Sequence, residues 1–259
     1  MRRVAKWQRH GYDSIFTSAR TLVRMFNPSP TVSVIALGNG QKCFVFDEAL
    51  RDPQHLIELA VARRAEFQAS GHNAFPGPEL RMPDNFSAML DGFFALHVRR
   101  ALGGRRTLRA YSRLSLVTYA PQQLSPAQSI CHRDRMQIEP GQCVAACVLY
   151  LFHDPALGGT AFFRPARSEP ETARLVHDSG RLDSAEMLAK YALSRGYQTA
   201  SSPWFEKIAS VPARFNRLIF YNGMQFHSGD ISAPEHLTED PRSGRLTLNG
   251  FFTCRQAAT

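Results

Sequence analysis

The feature that most constrains the fold is a run of short strand-like segments that begins near residue 108. All of them except residues 129–134 are rich in aliphatic and aromatic residues, and turns containing Gly or Pro separate most of them. The segments cover residues 114–119, 129–134, 142–152, 160–163, 215–221 and 245–253. Short strands divided by such turns are typical of a sandwich or jelly roll. We therefore predict a jelly-roll core, a double-stranded β-helix, over about residues 108–253.

The first half of the chain mixes a hairpin pattern with helical periodicity. Apolar residues on either side of Gly38-Asn39-Gly40 predict two strands joined by a turn with positive φ. Asp52-Pro53 supplies a capping carboxylate and a first-turn proline, which mark the start of a helix. A second helix is predicted over about residues 84–102. The predicted fold class is thus α+β, with N-terminal helices packed on the jelly roll.

Residues 1–30 form a basic region with six Lys or Arg against one acidic residue. Apolar side chains recur there at helical spacing, which predicts an amphipathic helix. Such a helix could bind a membrane surface or a partner, or serve as a transit peptide, but most often it packs on its own domain. We favour packing, and expect residues 31–259 to form one domain.

A polar segment over about residues 167–210 interrupts the strand pattern. Asp183 and Glu186 form a capping pair before apolar residues at helical spacing, and Gly196 is expected to end the helix. We predict a helical insertion between core strands that covers the mouth of the barrel.

Composition and charge narrow the class of protein. The 259 residues are 44% hydrophobic and carry a formal charge of +9, but no nucleic-acid-binding motif accompanies the arginines. No apolar run approaches the roughly 18 residues that span a bilayer, and no secretory signal follows Met1. The five cysteines lack CxxC spacing, which favours buried thiols. We expect a cytoplasmic protein that does not bind nucleic acid and has no transmembrane segment; the oligomeric state stays open.

One constellation of residues carries chemistry. His132 and Asp134 are two residues apart on a predicted strand, so both side chains leave the same face. His227 follows another predicted strand and can supply a third ligand. Two imidazoles and one carboxylate leave three open positions on a metal, the arrangement of non-haem iron(II) oxygenases.

The flanking sequence resembles the 2-oxoglutarate/iron(II) oxygenase superfamily, in particular its prolyl-4-hydroxylase-like branch. The first matching block runs from Leu114 through Tyr119 and the His132-Arg133-Asp134 motif to the turn at Gly158-Gly159. The second runs from Asn216 through His227-Ser228-Gly229 to Arg245-Leu246-Thr247. The resemblance covers about residues 108–253.

The resemblance implies a binding site for the co-substrate 2-oxoglutarate. Arg245 and Thr247 share one strand face and together can bind its distal carboxylate. Tyr119 and Tyr150 match further positions of the pattern, although Tyr150 could equally be a buried strand tyrosine. The long spacing between His227 and Arg245 leaves Arg242 and Arg255 as alternatives.

The activity that the resemblance implies is hydroxylation of a C–H bond with Fe(II), 2-oxoglutarate and O2. Asp134 favours hydroxylation over halogenation, because halogenating relatives replace this carboxylate; desaturation and cyclisation stay open. The substrate would be a small molecule, an amino acid or a peptidyl residue. The alternatives are a cupin-like metalloenzyme that does not use 2-oxoglutarate and a non-catalytic jelly-roll sensor or binding domain.

Overall fold

The computed structural model of the protein describes residues 25–38, 40–69, 75–134 and 139–257. Most of the predicted N-terminal helix, in residues 1–30, therefore lies outside the described residues. Within the described ranges, no helix combines the length and apolar character needed to cross a membrane.

The described residues form four α-helices and eleven β-strands. The helices are α1 (Gln54–Ala62), α2 (Asp84–His97), α3 (Glu169–Ser179) and α4 (Ser184–Tyr191). The strands are β1 (Thr31–Ala36), β2 (Lys42–Asp47), β3 (Gln68–Ala69), β4 (Pro78–Arg81), β5 (Gly104–Val117), β6 (Gln142–Tyr150), β7 (Thr160–Pro165), β8 (Phe205–Val211), β9 (Leu218–Asn222), β10 (Phe226–Gly229) and β11 (Arg245–Gln256).

The strands form one large and one small antiparallel sheet. The large sheet has the order β1-β2-β9-β6-β11-β5-β4-β3, and the small sheet has the order β10-β7-β8. The α+β class predicted from the sequence is confirmed by this arrangement. The predicted hairpin is also confirmed, as β1 and β2 pair from Thr31 and Asp47 to Ala36 and Lys42.

Each sheet is covered by helices on one face. In the first layer, α2 packs on the large sheet, with the ring of Phe94 stacked 4.2 Å from Phe252 and 5.6 Å from Phe220. In the second, α3 and α4 share a buried cluster with the small sheet. Its members include Ile130, Cys131, Phe163, Leu175, Met187, Tyr191, Phe205 and Phe226. The helix predicted from the Asp183 capping pair is confirmed as α4, and the Asp183 side chain accepts from the backbone N–H of Glu186 at 2.9 Å.

Several strand boundaries differ from the sequence prediction, and β5, for example, begins at Gly104 instead of near residue 114. Residues 129–134 do not form a strand; they make one isolated bridge, between His132 and His227. Pairing with β10 ends at His132 because the next backbone N–H, that of Asp134, donates to the carbonyl of Gly223. Conversely, the predicted insertion ends in β8, because Phe205–Val211 pairs with β7. Charged residues such as Glu206 and Lys207 interrupt the apolar pattern by which a strand is recognised in a sequence.

Candidate metal centre

His132 and His227 face each other across the isolated bridge. The backbone N–H of each residue donates to the carbonyl of the other at 2.9 Å, and the two ring centroids lie 4.5 Å apart. His227 belongs to β10, whereas His132 lies in the long connection between β5 and β6. With Asp134 they form a set whose ligand atoms all lie within 4.8 Å of one another.

The Asp134 carboxylate is buried between His227 and the turn at Gly223. Its Oδ1 atom lies 3.8 Å from Nε2 of His227, while Oδ2 is buried and has no hydrogen-bond partner among the described residues. The backbone N–H of Asp134 donates to the carbonyl of Gly223 at 2.8 Å. A Cβ atom on residue 223 would lie 3.0 Å from Oδ2 and 2.8 Å from Cγ1 of Val144, so glycine leaves room for the carboxylate.

A backbone hydrogen bond fixes the orientation of the His227 ring. Nδ1 lies 2.9 Å from the carbonyl of Gln225, which can only accept, so Nδ1–H donates and, in the neutral ring, Nε2 carries the lone pair. A metal-binding imidazole commonly donates its second N–H to a carbonyl in this way. The ring thus presents Nε2 on the side of Asp134.

Burial shifts the pKa values of His132 and Asp134. It lowers the pKa of His132 to about 3, an effect to which the neighbouring His227 adds. Burial also raises the pKa of Asp134, which the charges of His227 and Arg113 oppose. A neutral imidazole is the form that binds metal, and a cation beside Asp134 would offset the effect of its burial.

These observations fit a divalent metal ion. Two imidazole nitrogens and one carboxylate oxygen converge, and the buried carboxylate has an oxygen that no group in the described part of the chain satisfies. A 2-His-1-carboxylate set that leaves positions open is characteristic of non-haem Fe(II). His132, Asp134 and His227 are therefore the residues that could hold it.

A cavity of about 670 Å³ opens beside this cluster. Its walls include all three candidate ligands as well as Arg245 and Thr247, the residues predicted to bind 2-oxoglutarate. Such a volume is within the usual range for small-molecule sites, roughly 300 to 1,000 Å³. Thr247 is buried, and its hydroxyl lies 3.4 Å from the carbonyl of Ser115.

Arg245 is buried and anchored at one edge of its guanidinium group. Its Nε atom donates to the carbonyl of Leu157 at 2.8 Å, and Nη2 donates to that of Gly159 at 2.8 Å. The arginine therefore also holds the Gly-Gly turn in place. The alternatives are at the surface: Arg242 pairs with Glu58 at 3.2 Å, and Arg255 is exposed.

Two predicted site residues lie behind the cavity wall. Neither Tyr119 nor Tyr150 is among the described residues that line the cavity. The Tyr150 hydroxyl lies 2.8 Å from that of Thr160, and the Tyr119 carbonyl accepts from the Tyr197 hydroxyl at 2.6 Å. Thr160 and Tyr197 do line the cavity, so each predicted tyrosine contacts a lining residue.

Sequence reasoning missed some residues of the site. Tyr197 lies in the polar insertion, where an aromatic residue after Gly196 was the available signal. Gly223 stands in the turn between β9 and β10, and a glycine four residues before His227 could have indicated a close approach. Arg113 was not distinguishable in sequence from the other arginines of β5.

Residues 28–252 match the model of a family described as "Family of unknown function (DUF6445)", and the chain belongs to that family. No curated protein matches the chain in sequence. Solved structures do match it.

One similar structure is a prolyl-4-hydroxylase from Pseudomonas putida, which is 15% identical, with a TM-score of 0.37 over 80% of this chain and 86% of that one. Another is the non-haem α-ketoglutarate-dependent carbocyclase SnoK from nogalamycin biosynthesis, with 14% identity, a TM-score of 0.46 and coverage of 83% and 80%. HygX from Streptomyces hygroscopicus, with nickel, 2-oxoglutarate and hygromycin B bound, has 11% identity, a TM-score of 0.41 and 82% coverage of each chain.

Proposed function

We propose that this protein is an Fe(II)- and 2-oxoglutarate-dependent oxygenase that hydroxylates a C–H bond of a small-molecule or peptidyl substrate. The observation that carries the proposal is the convergence of His132, Asp134 and His227 at one wall of a cavity that also contains Arg245 and Thr247. The three ligands provide an open metal site, and the arginine and threonine provide a carboxylate site beside it.

The order of the strands supports a jelly-roll core under this site. From β6 onward the chain passes from the large sheet to β7 and β8 in the small sheet, returns to β9, crosses to β10 and ends in β11 of the large sheet. Repeated crossing between two sheets is how a double-sheet jelly roll is built. The His132–His227 bridge adds the first ligand segment to the edge of the small sheet. We take residues 31–259 as one domain and residues 108–253 as this core.

In this proposal the three ligands have distinct tasks. His227 binds through Nε2, because Nδ1–H is engaged by the carbonyl of Gln225. Asp134 binds through its carboxylate, whose Oδ1 faces His227 and whose Oδ2 has no hydrogen-bond partner in the described part of the chain. His132 completes the set as a neutral imidazole, a state that its burial favours.

The co-substrate site is built around the part of the Arg245 guanidinium group that does not donate to backbone carbonyls. Nε and Nη2 donate to carbonyls of the turn, so Nη1 is the atom assigned to the distal carboxylate of 2-oxoglutarate. Thr247, Thr160 and Tyr197 line the same cavity. The Thr160 hydroxyl can donate to this carboxylate while it accepts from Tyr150, and the Thr247 hydroxyl can do so by giving up its 3.4 Å contact with the Ser115 carbonyl, whereas the Tyr197 hydroxyl already donates to the Tyr119 carbonyl. Tyr150 acts as a positioning residue, since its hydroxyl contacts that of Thr160.

The helical insertion covers the mouth of the cavity. Its residues Val176, Leu182, Tyr197 and Gln198 are part of the lining, and Arg133, next to the first ligand, pairs with Glu169 of α3 at 2.9 Å. Excluding water from such a site directs the reaction to the bound substrate. With Fe(II) and 2-oxoglutarate bound, oxygen would supply the oxidising power for C–H hydroxylation, with succinate and carbon dioxide as co-products.

The test compares Asp134→Ala with a matched control, Asp154→Ala. Asp154 also pairs with a histidine, His236 at 2.9 Å, but on the surface. Wild type and the control should bind one equivalent of Fe(II) without oxygen, bind 2-oxoglutarate by calorimetry and form succinate in air. Removing a residue that only hydrogen-bonds to a metal ligand costs roughly 10- to 100-fold in metal affinity. Asp134→Ala removes a ligand itself, so its loss of Fe(II) affinity should be larger.

Each alternative predicts a different result. A cupin-like metalloenzyme would bind Fe(II) but neither bind nor consume 2-oxoglutarate. A non-catalytic domain would form no succinate even with both bound. Either result in the wild-type protein rejects the proposed function, and full Fe(II) binding by Asp134→Ala rejects the ligand set.

A further inference from the structure

A second arginine, Arg113, lines the same cavity at a different position from Arg245. In the pairing of β5 with β11, Arg113 stands opposite Asn249, which is four residues along the strand from Arg245. Four residues of an extended strand cover about 13 Å. The two guanidinium groups are anchored at different places, that of Arg113 against the Phe251 ring and that of Arg245 against the carbonyl of Gly159.

The Arg113 guanidinium is held from one side. Nη1 donates to Oε2 of Glu79, whose other oxygen accepts from the Ser115 hydroxyl at 3.0 Å. The Glu79 side chain is only 7% exposed, whereas that of Arg113 is 23% exposed. Both side chains line the cavity, and the cationic member of the pair is the more exposed of the two.

The opposite edge of the guanidinium is the side-on pair Nε and Nη2. Nε is buried without a hydrogen-bond partner in the described part of the chain, and Nη2 has only a 3.5 Å contact with the Tyr111 hydroxyl. A buried N–H without a partner is unfavourable, and a carboxylate that accepts from both atoms would relieve this. This edge has the geometry of a bidentate carboxylate site.

Two aromatic rings hold the guanidinium group in place. The Arg113 Cζ atom lies 4.9 Å from the ring centroid of Phe251 and 5.5 Å from that of Tyr111, and the two rings stack at 4.9 Å. Both rings also line the cavity. Stacked arginine is pre-organised for planar anions, and the adjoining ring faces provide an apolar surface.

The charge of the whole cavity favours an anion. Among the described residues that line it, the charged side chains other than histidine are four arginines and two carboxylates. The arginines are Arg113, Arg133, Arg181 and Arg245, and the carboxylates are Glu79 and Asp134. A divalent metal adds two positive charges, and the co-substrate dianion neutralises two. A net positive cavity then remains for the second molecule.

We infer that Arg113 binds a carboxylate group of the primary substrate through Nε and Nη2, and that the substrate is a small carboxylic acid whose hydrocarbon part packs on Tyr111 and Phe251. The identification of this molecule as the one that is oxidised rests on the proposed function. The binding of a carboxylate at Arg113 does not, because none of its contacts involves the metal.

The experiment uses matched carboxylates and primary amides as probes: phenylacetate, 3-phenylpropanoate and hexanoate, each with its amide. Substituting Arg113 alone would remove the Arg113 charge from the buried Glu79 carboxylate, so the test variant is the pair Glu79→Gln and Arg113→Gln. The control is Arg109→Gln, because Arg109 lies 5.7 Å from the same Tyr111 ring but is exposed and outside the cavity lining. Thermal unfolding of each variant checks that it folds.

Binding is measured by calorimetry on the full chain, both metal-free and with Fe(II) and 2-oxoglutarate without oxygen. Wild type and Arg109→Gln should bind at least one carboxylate about 10- to 100-fold more tightly than its amide. The double variant should bind the two alike. In air, the same carboxylate should stimulate succinate formation by the wild-type protein.

Three outcomes would overturn the inference: no carboxylate binds, carboxylate and amide bind equally to the wild-type protein, or the preference survives in the folded double variant. A short peptide with one internal Asp is the remaining probe. If this peptide binds tightly and none of the small carboxylates does, the inference that the substrate is a small carboxylic acid is rejected. Carboxylate binding that depends on Arg113 in a protein that never forms succinate would reject the proposed function and leave this inference standing.

Discussion

At the scale of single residues, Asp134 shows how strongly the site depends on a distant part of the chain. Its backbone N–H donates to Gly223, and its Oδ2 atom occupies space that a side chain at 223 would take. The carboxylate is therefore aimed by the turn between β9 and β10, not by its own segment. Neighbouring His132 depends in the same way on β10.

The pairing of β6 with β11 brings Cys143 and Cys254 into contact. They stand directly opposite each other on β6 and β11. A hydrogen bond from the Cys254 thiol lowers the pKa of Cys143 to about 7, against the opposing effect of burial. Cys143 is half-buried and the other four cysteines are buried, and all five are free thiols.

We expect Cys143 to react with iodoacetamide at a rate that rises with pH and reaches its midpoint near 7, because the thiolate is the reactive form. Cys254→Ala removes the donor that stabilises this thiolate. The pKa of Cys143 should then rise towards its usual value of 9.0, and the midpoint with it. Peptide mass spectrometry measures labelling at each cysteine.

Cys147 is the internal control for this measurement. Burial raises its pKa, and the native protein should leave it unlabelled. A midpoint for Cys143 that is the same with and without Cys254 would contradict the prediction.

At the scale of elements, α3 and α4 are packed parts of the fold. Leu175 of α3 is fully buried in the cluster that also contains Ile130 and Cys131, which immediately precede His132. Asp178, also on α3, accepts from the Lys190 ammonium group at 2.7 Å and the Tyr191 hydroxyl at 2.5 Å, which ties the two helices together. The helices that cover the cavity therefore also support the segment carrying the first two candidate ligands.

Leu175→Ala should lower the free energy of unfolding by about 2 to 5 kcal/mol, because it leaves a cavity in this cluster. Leu188→Ala is the matched control, since Leu188 lies on α4 with 54% of its surface exposed. Its effect should stay within about 0.5 kcal/mol. Urea denaturation measures both variants, and similar values for the two would show that α3 and α4 do not share the core of the small sheet.

At the scale of the whole molecule, an ion pair ties the β1–β2 hairpin to the core. The Asp47 carboxylate at the end of β2 accepts from Arg217 at 2.7 and 3.0 Å and from Arg214 at 3.3 Å. The hydrogen bond from Arg217, followed by the charges of both arginines, lowers the pKa of Asp47 below its usual 3.8. Both arginines lie just before β9, the strand that pairs with β2.

Asp47→Asn should destabilise the protein by about 1 to 3 kcal/mol at neutral pH. A lowered pKa in the folded state stabilises the protein above the unfolded pKa, and this contribution is lost as the pH falls through the folded value. The difference in unfolding free energy between wild type and variant should therefore shrink below about pH 4.

Asp84→Asn serves as the control for this pH series. Asp84 pairs with Arg81 at 3.1 Å but is 88% exposed, and such pairs contribute about 0 to 1 kcal/mol. Chemical denaturation across the acidic range measures both variants. A constant difference for Asp47→Asn down to the lowest pH would contradict the linkage.

The sequence by itself determined those features that neighbouring residues specify. The β1–β2 hairpin follows from apolar segments around a glycine turn, and α4 follows from the capping pair Asp183 and Glu186. The α+β class followed from the same local periodicities, since hydrogen bonding and side-chain direction repeat over a few residues.

Tertiary structure decided what depends on contacts between distant segments. Phe205–Val211 became β8 because β7 offered a partner, and residues 129–134 made only a single bridge because Gly223 took the next donor. The placement of Tyr197 in the cavity and the pairing of Arg113 with Glu79 are of the same kind. Strand register and the close approach of two backbones are properties of pairs of segments, so neither segment encodes them alone.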